Sequence, residues 1–360
     1  MRAGLHVGQL LQPVPGGIGR YTVHVARNLP AADVDVVCFG AGRPSARVRG
    51  LIGDTVDLGW PRGPMRYELW HRLRRPLVHL DVDVVHAPSL AIPPVRDIPL
   101  VVTVHDVAFL REPAAFTRRG LSFHQRGLEI AHREATAVIT ASRSARDELI
   151  DVGFERDRIH LAPHGVELRV PEPPEEIDAR IVALGLGSRF ILSVGTIEPR
   201  KGFDTLADAI QLVRRKEPDL ELAVVGPPGW LEVHGLDQPG IHRLGTVDER
   251  SLDALYRRAE ACAIASRYEG FGLPALEAMA RGCPVVASNA TSLPEVVGTA
   301  GTLVPPGDVD LWAHALLEVV RDAPLREEMA RRGIARAETF TWRGSAHAHA
   351  AAYQAAIDAF

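Results

Sequence analysis

The feature that most restricts this chain is an alternation, sustained from one end to the other, of short apolar β-branched runs with helical patterns. Parallel strands covered by helices on both faces read as continuous apolar segments, and each needs a crossover to reach its neighbour. The pattern therefore predicts parallel α/β layers. In the first half, candidate strands are residues 4–9, 34–39, 83–86, 100–104, 137–140 and 158–161, with helices such as 20–28 and 116–134 between them. A second series of strands runs through 190–194, 221–225, 261–264, 284–287 and 301–304, with helices including 204–215, 251–258 and 274–281. Between the series lies Val170-Pro171-Glu172-Pro173-Pro174-Glu175-Glu176, whose composition is that of an exposed linker, so the boundary is placed near residue 172. At 360 residues, with 46% hydrophobic and 24% charged, the chain can supply two cores. The Ala-rich tail from Ser345 reads as a closing helix.

Charge and cysteine content exclude several classes. Residues 1–170 carry 22 arginines against 18 acidic groups (+4), and residues 171–360 carry 19 basic against 27 acidic groups (−8). A basic first half suits an anionic acceptor or membrane surface, but the chain as a whole is far from the basic balance of a nucleic-acid binder. No apolar stretch is long enough to span a bilayer, and the first residues read as a buried strand rather than a signal peptide. Cys38, Cys262 and Cys283 sit apart in apolar runs, which points to reduced core thiols in a cytoplasmic protein and against a zinc site. Asp81-Val82-Asp83 has the form of a metal-binding acidic pair but leads into an apolar run; it is read as a strand start, and no metal or other cofactor is expected.

Doubly wound sheets place ligands beyond the carboxyl ends of their strands, so the strand-to-helix turns carry the chemistry. The turn Pro15-Gly16-Gly17-Ile18-Gly19-Arg20 lets backbone amides approach a ligand at a helix N-terminus; a tight structural turn explains it about as well. His105 closes an apolar strand and is followed by Asp106. In Gly195-Thr196-Ile197-Glu198-Pro199-Arg200-Lys201-Gly202, two adjacent cations precede a helix N-terminus, which suits a diphosphate. Lys201 stands out because it and Lys216 are the chain's two lysines among 41 basic residues. Glu269-Gly270-Phe271-Gly272-Leu273-Pro274-Ala275-Leu276-Glu277 is the most specific turn. Pro274 fits the first helical position, the amides of Phe271, Gly272 and Leu273 face outward, and Glu269 and Glu277 can flank one ligand. Ser292-Leu293-Pro294-Glu295 has the form of a capping box and is assigned to structure.

Taken together, these turns resemble glycosyltransferase family 4, with further similarity through Gly282–Asn289 and Ser292–Gly298. The resemblance implies a GT-B fold: two Rossmann-like doubly wound domains facing across a cleft. Residues 1–171 would bind the acceptor, residues 172–340 the nucleotide sugar, and residues 341–360, entered through Thr339-Phe340-Thr341-Trp342, would cross back to the first domain. Arg200 and Lys201 would neutralise the donor diphosphate. Glu269 would bind sugar hydroxyls with the Gly270, Phe271, Gly272 and Leu273 loop, and Glu277 would hold the ribose. Gly195 and Thr196 would line the donor site; Gly16 and Gly17 would approach the distal phosphate, and His105 would face the reacting sugar. Thr196 stands where some relatives have an arginine, a charge that Arg200 could replace. Such enzymes usually retain anomeric configuration without a metal, relying on positioning and charge stabilisation.

The implied reaction is hexose transfer from a nucleotide-diphosphate sugar to a glycan, lipid-linked or small-molecule acceptor. The loop at 196–201 is similar to that of mannosyltransferase-like relatives, which favours GDP-mannose ahead of UDP-sugars. An epimerase or phosphorylase on the same fold, and a non-catalytic nucleotide-sugar sensor, stand as alternatives. Residues 62–75, with Tyr67, Trp70 and five arginines beside Trp60, raise a weak peripheral membrane contact; a solvated helix is the favoured reading.

Overall fold

Runs such as Val84–Ala87, Leu100–Thr103 and Ala137–Thr140 are buried at every position, so a sheet made of them must be covered on both faces. The computed structural model describes residues 1–12, 15–168 and 170–360. They form two compact units: Met1–Arg111, Arg118–Gly165 and Thr341–Phe360 make the first, and Glu112–Thr117 and Val166–Phe340 the second.

The first unit holds β1 (Arg2–His6), β2 (Asp35–Gly40), β3 (Val56–Asp57), β4 (Val84–Ala87), β5 (Leu100–Thr103), β6 (Ala137–Thr140) and β7 (Ile159–Leu161) in the order β3-β2-β1-β4-β5-β6-β7. The second holds β8 (Phe190–Val194), β9 (Glu221–Val225), β10 (Ile241–Gly245), β11 (Ala261–Ile264), β12 (Val285–Ser288) and β13 (Thr302–Val304) in the order β10-β9-β8-β11-β12-β13. Every pairing is parallel, with Leu5 opposite Cys38 and Leu192 opposite Cys262. In each sheet the winding reverses beside the first strand, between β1 and β4 and between β8 and β11. These are the switch points at which doubly wound folds open a crevice.

Helix-borne side chains fill the cores: Tyr21, Val25, Leu29 and Tyr353 in the first unit, and Phe203, Leu206, Ile210, Trp312 and Leu316 in the second. The closing helix Trp342–Asp358 belongs to the first unit. The Thr341 hydroxyl caps it by accepting from Gly344 N at 3.0 Å, and Ser345, His349, Ala352, Tyr353 and Ala356 form its buried face.

Several expectations need correction. The change of unit falls at Gly165/Val166, ahead of the Pro- and Glu-rich run, and Glu112–Thr117 also joins the second unit. Only the start of that run is extended, because Pro174–Ala183 is a helix with Pro174 in its first turn and Glu175 and Glu176 beside it. Proline and acidic residues favour a helix N-terminus for the same reasons that they suggest a linker. Asp81 and Asp83 both turn to Arg2: Asp83 accepts from its backbone N at 2.7 Å, and Asp81 pairs with its guanidinium at 2.9 Å. Residues 62–75 contain the helix Gly63–Leu73, in which Trp70 is buried and Arg66 donates to the Pro61, Leu58 and Gly59 carbonyls. Arg74 binds Glu134 at 2.6 Å. Those three side chains are therefore committed to the protein rather than to a lipid surface. Among the described residues no helix is long and apolar enough to cross a membrane.

Candidate functional site

The switch point of the second unit brings two of the expected loops together. After β8 the chain passes through Gly195, whose amide donates to the Val225 carbonyl at 2.9 Å, and Thr196 to a short turn at Pro199–Lys201. Gly202 then opens the helix Phe203–Arg214 with φ +67°, and a Cβ there would run into the carbonyl of Ala265, just past β11. A glycine at this position lets the β8 loop lie directly against the β11 loop. Arg267 fastens the contact: its amide donates to the Arg200 carbonyl at 2.8 Å, and its guanidinium reaches the Pro199 carbonyl and Asp204, each at 2.6 Å.

This contact places Arg200, Lys201 and Glu269 in one cluster. Lys201 Nζ lies 2.6 Å from Glu269 Oε1, which also accepts from Ser266 Oγ at 2.8 Å. Arg200 Nη1 is 4.0 Å from Glu269 Oε2 and donates to the Tyr268 carbonyl at 3.1 Å, while its Nε is 2.7 Å from Glu198 Oε1. Glu198 is 1% exposed and Glu269 8%. Burial pushes the Lys201 ammonium below its usual range, and the Arg200 charge adds to that; the Glu269 carboxylate opposes both. Burial alone would raise the Glu269 carboxyl, but Lys201, Arg200 and the Ser266 hydroxyl outweigh it and hold Glu269 below the usual carboxylate range. Two cations and two carboxylates are thus held together in a confined space, each offsetting part of the burial cost of its neighbour.

The backbone of Glu269 is held as firmly as its side chain. Its amide donates to Thr291 Oγ1 at 2.9 Å, and its carbonyl accepts from Ser292 Oγ at 2.8 Å. Ser292 is therefore not the capping residue its sequence pattern suggests. Its backbone is already helical, with φ −83° and ψ −15°, and its side chain makes no cap. Ser266, Thr291 and Ser292 are site-building residues that the sequence reading missed. The Ser-x-x-Glu pattern matches a capping box whichever way its serine points, and the other two carry no local signal.

The helix after Glu269 runs Leu273–Ala280, one residue earlier than expected, with Pro274 still in the first turn and Gly272 at φ +99°. Pro274 has no amide hydrogen and the Ala275 and Leu276 amides donate to the Gly272 carbonyl at 3.1 and 3.2 Å, so an anion or hydroxyl at this N-terminus would meet the amides ahead of Pro274, those of Gly272 and Leu273. The Phe271 ring packs against Phe340 with centroids 5.9 Å apart, and Gly270 is buried beside it. Any ligand contact by Phe271 would thus come from its backbone. Glu277 stands outside the Lys201 cluster: it is 5% exposed and accepts from the Tyr256 hydroxyl at 3.1 Å.

The remaining candidates lie in the first unit. Gly16 and Gly17 begin the helix Gly16–Asn28; a Cβ at either would meet nothing within 4 Å, but Gly16 sits at φ +61°, where the backbone itself favours glycine. His105 follows β5; its Nε2 donates to the Pro88 carbonyl, just past β4, at 2.9 Å. Burial pushes its pKa down, against smaller opposing effects of that hydrogen bond and of Asp106. Asp106 itself accepts from Ala108 N at 3.0 Å. Among the described residues no group of three or more His, Cys, Asp or Glu is arranged to hold a metal ion.

Comparison with known proteins agrees with this architecture. Residues 15–170 match the family model described as Glycosyltransferase Family 4, and residues 188–322 match Glycosyl transferases group 1. The chain is 33% identical over 292 residues to O-antigen chain mannosyltransferase B of Escherichia coli, covering 77% of this chain and 76% of that protein. It is 34% identical over 289 residues to the MMP alpha-(1->4)-mannosyltransferase of Mycolicibacterium hassiacum, covering 72% and 66% respectively. Among solved structures, Anabaena HepE in complex with UDP and glucose superposes with a TM-score of 0.76 at 20% identity, over 98% of both chains.

Proposed function

The chain belongs to glycosyltransferase family 4 and has the GT-B fold, and from that premise we propose that it moves a hexose from a nucleotide-diphosphate sugar, with retention of configuration and without a metal, to a glycan, lipid-linked or small-molecule acceptor. The observation that carries this reading is the cluster of Arg200 and Lys201, held by Glu198 and Glu269 at the N-terminus of the helix Phe203–Arg214. Two fixed cations and a helix dipole offer a diphosphate the compensation that a bound cation would otherwise supply.

In the proposed reaction the bond between the anomeric carbon and the diphosphate oxygen breaks, and the bond to the acceptor oxygen forms on the same face. The acceptor's proton passes to the departing phosphate oxygen, and Arg200 and Lys201 stabilise the charge that develops there. A double displacement would need a free carboxylate nucleophile. We give Glu269 a binding rather than a nucleophilic role, because Lys201 and Ser266 both hold its Oε1 and draw charge from the carboxylate. We assign its Oε2 to a sugar hydroxyl, Glu277 to the ribose, the Gly195–Thr196 and Gly270–Leu273 backbones to the donor, Gly16 and Gly17 to the distal phosphate, and His105 to the reacting sugar. Two mannosyltransferase relatives favour GDP-mannose as donor, with UDP-sugars next.

Thermal unfolding with GDP, UDP, ADP and their common sugar conjugates tests the donor. A ligand at 100 times its dissociation constant adds about 2.7 kcal/mol of stability, enough for a clear rise in Tm. A selective shift names the base. Absence of any shift at saturating concentrations would overturn the nucleotide-sugar reading and bring phosphorylase chemistry or a non-catalytic scaffold forward.

A further inference from the structure

We propose that Tyr21 is a positioning residue for His105, fixed by a one-directional hydrogen-bond chain anchored on the closing helix. Five buried side chains from the helix Gly16–Asn28, β4, β5 and the helix Trp342–Asp358 make the chain, each at most 1% exposed. Its direction follows from one end. His349 Nδ1 lies 2.7 Å from the Ser345 carbonyl, which can only accept, so Nδ1 carries the proton. In the neutral ring Nε2 is then bare, and the Tyr21 hydroxyl donates to it at 2.7 Å.

With its one proton spent, Tyr21 accepts from Thr103 Oγ1 at 2.8 Å. Thr103 in turn accepts from His86 Nε2 at 2.7 Å, and His86 Nδ1 accepts from the Tyr353 hydroxyl at 2.7 Å. Burial keeps both rings neutral: it lowers His86 well below the ordinary histidine range and pushes His349 down to about 4. Reversing any one link would leave two buried acceptors facing each other with no proton between them, which is costly in a low-dielectric interior.

The consequence for the site is geometric. Tyr21 is held at its hydroxyl, and its ring stands at 89° to His105 with centroids 4.9 Å apart. On its other side His105 donates Nε2–H to the Pro88 carbonyl. The ring is thereby trapped in one orientation with Nδ1 left as an acceptor, suited to a hydroxyl donor rather than to a phosphate. This inference rests on the assignment of His105 to the reacting sugar.

The test is a double-mutant cycle of Tyr21→Phe and His105→Ala, read as GDP released from GDP-mannose with water as acceptor, or UDP from UDP-glucose if the screen selects that donor. Tyr21→Phe keeps the ring but removes both hydrogen bonds of its hydroxyl. Its kcat should fall about ten- to hundredfold with nucleotide affinity unchanged, and the loss should shrink to about twofold or less in the His105→Ala background. Losses that multiply would overturn the positioning role. An unaltered kcat in His105→Ala would overturn both the assignment of His105 and the inference, whereas an unaltered kcat in Tyr21→Phe alone would overturn only the inference. Histidine ¹⁵N spectra of the wild-type protein supply a readout independent of turnover: His349 should carry its proton on Nδ1, and His86 and His105 on Nε2. Any other set of tautomers would overturn the chain. His349→Ala, which removes the acceptor but leaves Tyr21 and His105 in place, should lower kcat in the same sense.

Discussion

Replacing Lys201 with alanine tests whether the cation–carboxylate cluster is a self-compensating unit. The substitution leaves Glu269, 8% exposed, with the Ser266 hydroxyl and with Arg200 at 4.0 Å. Removing one partner of a buried pair costs about 3–5 kcal/mol because the other charge is stranded, and the surviving arginine places this case near the lower end. For a protein body of this size each kcal/mol moves Tm by roughly 2–4 °C, so the second unit should melt about 6–12 °C lower. Adding Glu269→Gln removes the stranded charge, and the double variant should recover most of that loss while remaining inactive. The pH dependence has a definite sign. In the wild-type protein the Glu269 carboxyl is held below its usual range. Its contribution is therefore present above the unfolded carboxylate pKa and lost as pH falls through the folded one. In Lys201→Ala the desolvation that opposes ionisation is left with less compensation, so the deficit should be largest near neutral pH and narrow on acidification. Scanning calorimetry of the four variants between pH 5 and 8 makes the measurement. A double variant with the two single-mutant losses simply added would refute the coupling, and a turnover unchanged by Lys201→Ala would remove that residue from the site.

Acid should unfold the first unit earlier than its surface charge suggests. Burial lowers His349 to about 4, and burial reinforced by Arg66 lowers His6 to about 3. The unfolded chain therefore binds protons that these residues refuse when folded, so stability is complete above about pH 6.5 and falls towards pH 4, by up to roughly 3 kcal/mol for His349. Denaturant midpoints that did not change between pH 7 and 4.5 would contradict this. Gly202→Ala forces a Cβ into the Ala265 carbonyl at φ +67° and should cost at least about 2 kcal/mol while weakening nucleotide binding; normal nucleotide affinity, measured by titration calorimetry, would show that the loop packing is dispensable. Ser292→Ala leaves the Glu269 carbonyl without its 2.8 Å donor and should cost about 1–3 kcal/mol, with a fall in kcat that a purely capping serine would not cause. Unchanged kcat would return Ser292 to a structural role.

What could be read from the sequence depended on how local the signal was. The runs Phe190–Val194, Glu221–Val225 and Ala261–Ile264 are apolar on both faces, and their bounds were legible to the residue. β3 has two exposed residues, and β10 none that is fully buried; both form because a neighbouring edge accepts them, which no local pattern reveals. In the candidate site, Arg200 and Lys201 stood out because glycines bracket them, and Glu269 because it precedes a proline-started helix. Thr291 and Ser292, which hold the Glu269 backbone, lie 22 and 23 residues away and meet it only once β11 and β12 have paired. The Tyr21 network is still more distributed. His349 reaches Tyr21 across 328 residues, and each member read alone is an ordinary core polar residue.

The carboxylates beside Arg200 and Lys201 have a physical reason to be there. Two half-buried cations on adjacent residues would repel each other, and Lys201, already depressed by burial and by Arg200, would be the one to give up its proton. Glu269 and, more weakly, Glu198 oppose that loss at Lys201, and their ion pairs hold both cations in place. Under the proposed reaction, a diphosphate arriving at this loop meets cations that need no reorganisation, but it must compete with the carboxylates for them. Part of the attraction is cancelled in the ground state and becomes available as charge builds on the leaving phosphate. That division favours turnover over tight retention of the nucleotide, because interactions that strengthen only along the reaction lower its barrier without deepening the bound state that precedes it.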